Sequence, residues 1–480
     1  MNVNFRDAPP TILHVDEQVI RAGKGISDLF PSPSVTIQAR YAVPRSHGNG
    51  DVSMTDGQGE GSSSSANWIV GQGLDAAQSE LSFEEKWEVR WPFRSSKRAE
   101  DWVGREYILQ HVFTLLDIKV SANPSPLMLI PPSDLSLDAS ALYTQLAFEE
   151  LNVPGLTILS LPLASLYALG ALSGIIIHIG AEQSNVSIVT ESIVRDECTT
   201  RIPIGLTHCL AHLERLLLID FALDKELRMA RGSGDSEPWS AGEKERLVKE
   251  VITVLWMENA SEIEAPTSTG EVMHKVREEA ETDDTFDVAK KLVGDAAPAP
   301  QPKKKAPAPT AGATDTISIS IPSFAEKTIT IGPIRHKLCE PLLRGINGQE
   351  SLWEAVGRAV ESPGLIPAER MAIWDGIGVV GEMAKIKSFA PAFVTYLSPL
   401  LLSSAEIPSD VQPAKARLLS IPDYFANFKG NSTDMAPFLG GSMVAKYAFS
   451  DYAGKHCITK VDYNAKGPAA IYTAGIGEER

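Results

Sequence analysis

The chain is poor in cysteine and carries fewer basic than acidic residues, and each shortage excludes a class of protein. Cys198, Cys209, Cys339 and Cys457 are the 4 cysteines of 480 residues. With no CxxC pair among them they build neither a disulfide framework nor a zinc knuckle, and a reducing compartment fits best. Against 61 Asp and Glu stand 44 Lys and Arg, a net charge of −17. Binding a phosphate backbone rests on Lys and Arg, so contact with DNA or chromatin is expected only indirectly, through a basic partner. The opening MNVNFRDAPP has no apolar run of signal-peptide type. Residues 156–180 form an uncharged stretch long enough to cross a bilayer. Pro162, Gly170 and Gly174 interrupt it, however, and Ile175-Ile176-Ile177 reads as a buried strand. Strand, helix, strand is the expectation, with no membrane span.

What is present is the composition of a globular protein, 43% hydrophobic and 22% charged, in a chain too long for one core. Two or more lobes are expected. Residues 46–67, rich in Gly, Ser and acid without periodic apolar positions, read as a disordered insertion. Residues 231–315 read as a second, polar insertion with a helical candidate at 247–257 and an extended Pro/Ala tract at its end. Within that tract Pro302-Lys303-Lys304-Lys305 reads either as a nuclear import signal or as solvated linker. Elsewhere strands and helices alternate. TILHV (11–15) and QVIRA (18–22) predict a hairpin, and 174–180, 185–191 and 199–205 predict three successive strands followed by an amphipathic helix over 206–223. Two meanders that each lead into alternating elements suggest an internally duplicated α/β protein.

The last sixty or so residues carry the sharpest motif. Phe438-Leu439 reads as a strand end, Gly440-Gly441 as a tight turn and Ser442 as the cap of a following helix. Ile458-Thr459-Lys460, Tyr463 and Gly467-Pro468 follow. This resembles the C-terminal signature of the actin family, W-I-G-G-S and then W-I-[ST]-K-x-x-Y-x-x-x-G-P. Phe148-Glu149, Asn152-Val153-Pro154, Ser165-Leu166-Tyr167-Ala168 with Gly170, and the segment 328–346 are similar to further actin stretches. IPDYF (421–425) and YNAKGPAA (463–470) narrow the resemblance to the fungal actin-related protein 9 subfamily. It implies an α/β, actin-like fold of the actin/Hsp70/hexokinase type, duplicated and two-lobed with disordered insertions. The outer lobe would take 1–170 plus 436–480 and the inner lobe 171–435.

In this fold ATP would sit between the lobes, held by glycine-rich turns whose N–H groups converge on phosphate. His14-Val15-Asp16-Glu17-Gln18 stands where actin has D-N-G-S-G, and Arg21 keeps the charge of the actin lysine. The run from His178 to Asn185 replaces D-S-G-D-G-V-T-H, Leu161 replaces a water-orienting glutamine, and Val379-Val380-Gly381-Glu382 replaces S-G-G-T. Loss of the glycines and of the Mg²⁺-organising aspartate predicts no enzyme activity, no catalytic residue and no cofactor. His208 and His212 at i, i+4 have no third ligand in view, so no metal site is expected. Trp87, Trp91 and Trp102 interleaved with Arg90, Arg94, Lys97, Arg98 and Arg105 read as lobe core with a charged face.

The resemblance also implies partners. In actins an apolar groove between the lobes receives helices, and the matching positions are Tyr167, Gly170, Val444, Tyr447 and Ala448. The subfamily implies a nuclear, non-catalytic subunit of SWI/SNF or RSC chromatin remodellers, paired with a second actin-related protein and holding the helicase-SANT-associated helix of the remodelling ATPase. An ATP-binding actin-like switch and a cytoskeletal, dynactin-type capping subunit are the alternatives.

Overall fold

The apolar runs of the sequence become paired strands in the computed structural model, which describes residues 8–25, 30–45, 67–78, 83–94, 100–133, 135–232, 239–240, 242–265, 315–386, 388–401, 415–428, 433–450 and 456–473. Nearly all of the 46–67 insertion, most of the 231–315 insertion and the Pro302-Lys305 run lie outside these residues. Backbone contacts divide the chain into two units, residues 1–207, 354–385 and 401–480 in one, and 208–353 and 386–400 in the other.

In the first unit β1 (Thr11–Val15) and β2 (Val19–Lys24) form the expected antiparallel hairpin, with His14 opposite Arg21. β3 (Val35–Gln38) extends it beyond β2. A small separate sheet contains β4 (Tyr41–Pro44), β5 (Ile69–Val70) and β6 (Trp87–Arg90). After helix α1 (Trp102–Leu115), β7 (Leu127–Ile130) pairs with β1 in parallel and β8 (Gly155–Ile158) with β7. Helix α2 (Leu161–Ala168) then leads to a second meander, β9 (Gly174–Ile179), β10 (Ser184–Thr190) and β11 (Ile193–Ile202). A late strand, β12 (Ile377–Gly381), pairs with β9 in parallel. One plan is thus used twice, a three-stranded meander whose first strand takes a parallel neighbour. Residues 156–180 form strand, helix and strand as read, and among the described residues no helix is long and apolar enough to cross a membrane.

The second unit carries helices Phe221–Arg231 and Glu243–Asn259 and the strand pair Ile317–Ile319 and Ile329–Ile331. The helix expected over 206–223 is in fact two, Leu206–Ile219 and Phe221–Arg231. Asp220 causes the break. Its backbone is extended and its carboxylate accepts from the N–H groups of Ala222 and Leu223, both at 3.3 Å, a helix start in mid-pattern.

The C-terminal glycine pair departs from expectation more instructively. Phe438 to Ser442 are neither strand end, turn nor cap; all lie inside helix α3 (Ala436–Ala448), and Ser442 Oγ donates back to the Phe438 carbonyl at 2.9 Å. Close packing explains the glycines. A Cβ on Gly440 would stand 1.8 Å from the Ala164 carbonyl oxygen of α2, and one on Gly441 2.3 Å from Ile130 Cδ1 of β7. Glycine costs helix propensity, and here the cost is offset by letting α3 lie directly on α2 and the sheet.

The remaining motif residues meet for equally physical reasons. β13 (Ile458–Thr459) pairs with β8, and Thr459 opens helix α4 (Lys460–Lys466) through a capping box with Asp462. Tyr463 stacks on Phe148 at 4.6 Å and its hydroxyl donates to Glu149 Oε1 at 2.6 Å, while Lys460 Nζ donates to Asn152 Oδ1. The two distant motif stretches are two sides of one contact. Since the carbonyl under Gly440 is backbone and cannot swing away, Gly440→Ala is expected to destabilise the protein by about 2–3 kcal/mol. Chemical denaturation checks this, and an unchanged midpoint would show that α3 does not press on α2.

Candidate functional site

Three turns of the first unit converge on a cluster of buried charge. The turn after β1 brings Asp16 and Glu17, β2 brings Arg21, β9 brings His178, the end of β12 brings Glu382, and the residues before α3 bring Asp434. All six are buried. Arg21 Nη2 donates to Glu382 Oε1 and to Asp434 Oδ2, each at 2.7 Å. Lys385 Nζ adds a contact to Glu382 Oε2. Burial alone would weaken the guanidinium's hold on its proton, but Glu382 and Asp434 outweigh it and push the pKa up.

Around the second turn, His178 Nε2 donates to Asp16 Oδ1 at 3.2 Å, and Ser133 Oγ lies 2.8 Å from His178 Nδ1. Burial pushes the Asp16 carboxyl up, yet the charge and hydrogen bond of His178 outweigh it and hold it well below the usual range. Glu17 Oε2 accepts from the backbone N–H of Ala181 at 2.6 Å and of Glu182 at 3.4 Å. Its pKa is raised, first by burial and then by Asp16. His14 is fully buried beside them and neither ring nitrogen has a protein partner. Burial, then the nearby Arg21 charge, lowers its pKa to about 3, so the ring is neutral.

A sequence model of the actin family, described simply as Actin, matches residues 10–230. A Schizosaccharomyces pombe protein described as "SWI/SNF and RSC complexes subunit arp9" is 27% identical over 427 residues, covering 78% of this chain and 77% of that protein. Shorter matches reach "Actin-like protein 9" of Bos taurus, 29% identical over 119 residues (25% of this chain, 28% of that protein), and of Mus musculus, 27% over 127 residues (26% and 30%). The fold is that of actin.

Actin folds imply a nucleotide and a divalent cation at these turns, and the residues of this actin-like chain do not fit them. The amide donors of the Gly180–Gln183 turn, which would face a phosphate, already hold a carboxylate. The basic side chain in the lysine position is committed to two acids. Glu382 and Asp434 hold the buried Arg21 guanidinium and Asp16 and Glu17 lie buried in the turn after β1, so a polyphosphate would add like charge to a region already rich in acid. Leu161, in the glutamine position, is buried and apolar, and Asn185 Oδ1 is buried without a protein partner.

Of the other residues read from the sequence, His212 Nε2 meets Glu340 Oε2 at 3.3 Å and accepts from Arg215 at its other ring nitrogen. Among the described residues no group of three ligand types could hold a metal. Arg94 lies over Trp91 at 3.9 Å and Arg105 over Trp102 at 4.3 Å, lining with Ser133 and Glu17 a cavity of about 850 Å³. In the groove set, Tyr167 and Val444 are half-buried, Gly170 is exposed, Tyr447 is 69% exposed, and Ala448 is buried in the core. Sequence reasoning missed Asp434, which precedes the helix start in an unremarkable Thr-Asp pair and becomes informative only once Arg21 is placed opposite it.

His14 yields a pH dependence. Folded, it takes a proton only near pH 3; unfolded, near its ordinary 6.5, so the unfolded chain binds more protons between those values. Stability therefore falls with acidification, and His14 contributes a loss of about 2 kcal/mol between pH 7 and pH 5. Glu17, with its raised pKa, acts in the opposite sense, so the comparison must be with His14→Gln. Urea unfolding at both pH values is expected to show the variant losing about 2 kcal/mol less than wild type; equal losses would contradict the buried neutral ring.

Proposed function

We propose that this chain is a non-catalytic, actin-related structural subunit of a SWI/SNF or RSC type chromatin-remodelling complex, acting in the nucleus. It pairs with a second actin-related protein and receives the helicase-SANT-associated helix of the remodelling ATPase; its own contact with chromatin is indirect. The observation that carries this reading is the likeness to the S. pombe remodeller subunit, which runs along 78% of the chain instead of stopping at a shared core. The cluster of buried acids at the nucleotide position supports the non-catalytic role.

Within this reading the lobes divide at 1–170 plus 436–480 and 171–435, and the helix lies over the ends of α2 and α3. Tyr447 offers an exposed aromatic and Gly170 an exposed, side-chain-free position, half-buried Tyr167 and Val444 offer apolar surface, and Ala448 lies in the core. That combination suits the apolar stripe of an amphipathic helix. Large exposed aromatics are frequent anchors in such contacts.

Tagging the full chain at its native locus and purifying it tests the reading. A remodelling ATPase and a second actin-related protein are the expected companions; dynactin subunits in their place would overturn it. Tyr447→Ala is expected to weaken the helix contact about tenfold without moving the melting temperature, because the ring is mostly outside the core. Undiminished recovery of the ATPase with Tyr447→Ala and Tyr167→Ala together would place the helix elsewhere.

A further inference from the structure

We propose that Glu17 is the chain's own bound anion, a carboxylate standing on the amide donors of the Gly180–Gln183 turn as a phosphate would, and that removing it uncovers an anion receptor for inorganic phosphate or pyrophosphate. Two adjacent backbone N–H groups, of Ala181 and Glu182, point at a single oxygen of a side chain from a different turn. Consecutive amides converging in this way form an anion-binding concavity. The turn is shaped around that oxygen. A Cβ on Gly180 would stand 2.8 Å from Glu17 Oε2, so the one glycine kept from the phosphate loop now makes room for the carboxylate. Ala181 is fully buried, which leaves its N–H without water as a substitute acceptor.

Basic side chains also stand near that place. His178, and Arg94 stacked on Trp91, are both close enough to sense the Glu17 charge. Asp16 opposes them, but its own charge is met by His178. The carboxylate thereby ties the turn after β1 to the turn after β9 with no ligand between them. The two turns are held as a nucleotide would hold them, permanently and from within. This inference concerns the turn chemistry alone and does not depend on which complex the chain enters.

Full-length wild type, Glu17→Ala and the shape-preserving Glu17→Gln test it by amide hydrogen exchange and by thermal unfolding with inorganic pyrophosphate. In Glu17→Ala the Ala181 amide is expected to exchange at least about tenfold faster, and the melting temperature to fall by about 5 °C and recover in part with millimolar pyrophosphate. Wild type should not respond to pyrophosphate, and Glu17→Gln should fall between the two in exchange, which keeps the test decisive if the alanine variant does not fold. Equal exchange in wild type and Glu17→Gln, or stabilisation of wild type by pyrophosphate, would overturn the proposal.

Discussion

Arg21 is a guanidinium with almost no access to water, and the first unit is arranged around keeping it paired. Its partners Glu382 and Asp434 lie 361 and 413 residues away in sequence. A buried charge stripped of its partner costs several kcal/mol, so β2, the end of β12 and the start of α3 must be brought together for any of them to be stable. Hydrophobic burial draws these segments into one core, and the ion pairs reinforce its register: a shift of one residue at β2 would turn Arg21 away from both acids.

The same cluster joins the turns at the place where an actin fold holds a nucleotide. In a nucleotide-binding relative the turns are joined through phosphate and cation; here Glu17 reaches across to Ala181, Asp16 to His178, and Arg21 to Glu382 and Asp434. Direct contacts replace ligand-mediated ones at the same places. Beside that cluster the packing around the C-terminal motif is close. Gly440 and Gly441 let α3 lie against α2 and β7, and Tyr463 sits between Phe148 and Glu149. The residues that pack helix on helix and helix on sheet are therefore distinct from those that carry the charge.

Much of this was legible in the sequence because it depends on local pattern. Short β-branched and apolar runs marked β1, β2 and β9, and proline with glycine marked the breaks around α2. Loss of glycine from the phosphate turns pointed to changed chemistry at that place. What escaped was decided by distant atoms. The FLGG run looks like strand and turn on propensity, and the need for glycine inside a helix shows only once the Ala164 carbonyl is placed against Gly440. Asp220 split a helix that periodicity alone would continue, since a carboxylate's reach to N–H groups two and three residues on competes with helix continuation. Glu17 read as one replacement in the first phosphate turn, and its position on the amides of the Gly180–Gln183 turn became visible only when two turns far apart in sequence were placed side by side.

The central claim is that this actin fold holds its turns together by internal charge pairs in place of a nucleotide. Calorimetric titration of the full-length protein with Mg-ATP at neutral pH addresses it most directly. The account predicts no saturable heat up to about 1 mM ligand, a regime that would reveal even weak binding. One-to-one binding with a dissociation constant near 1 μM, about 8 kcal/mol of affinity, would contradict it.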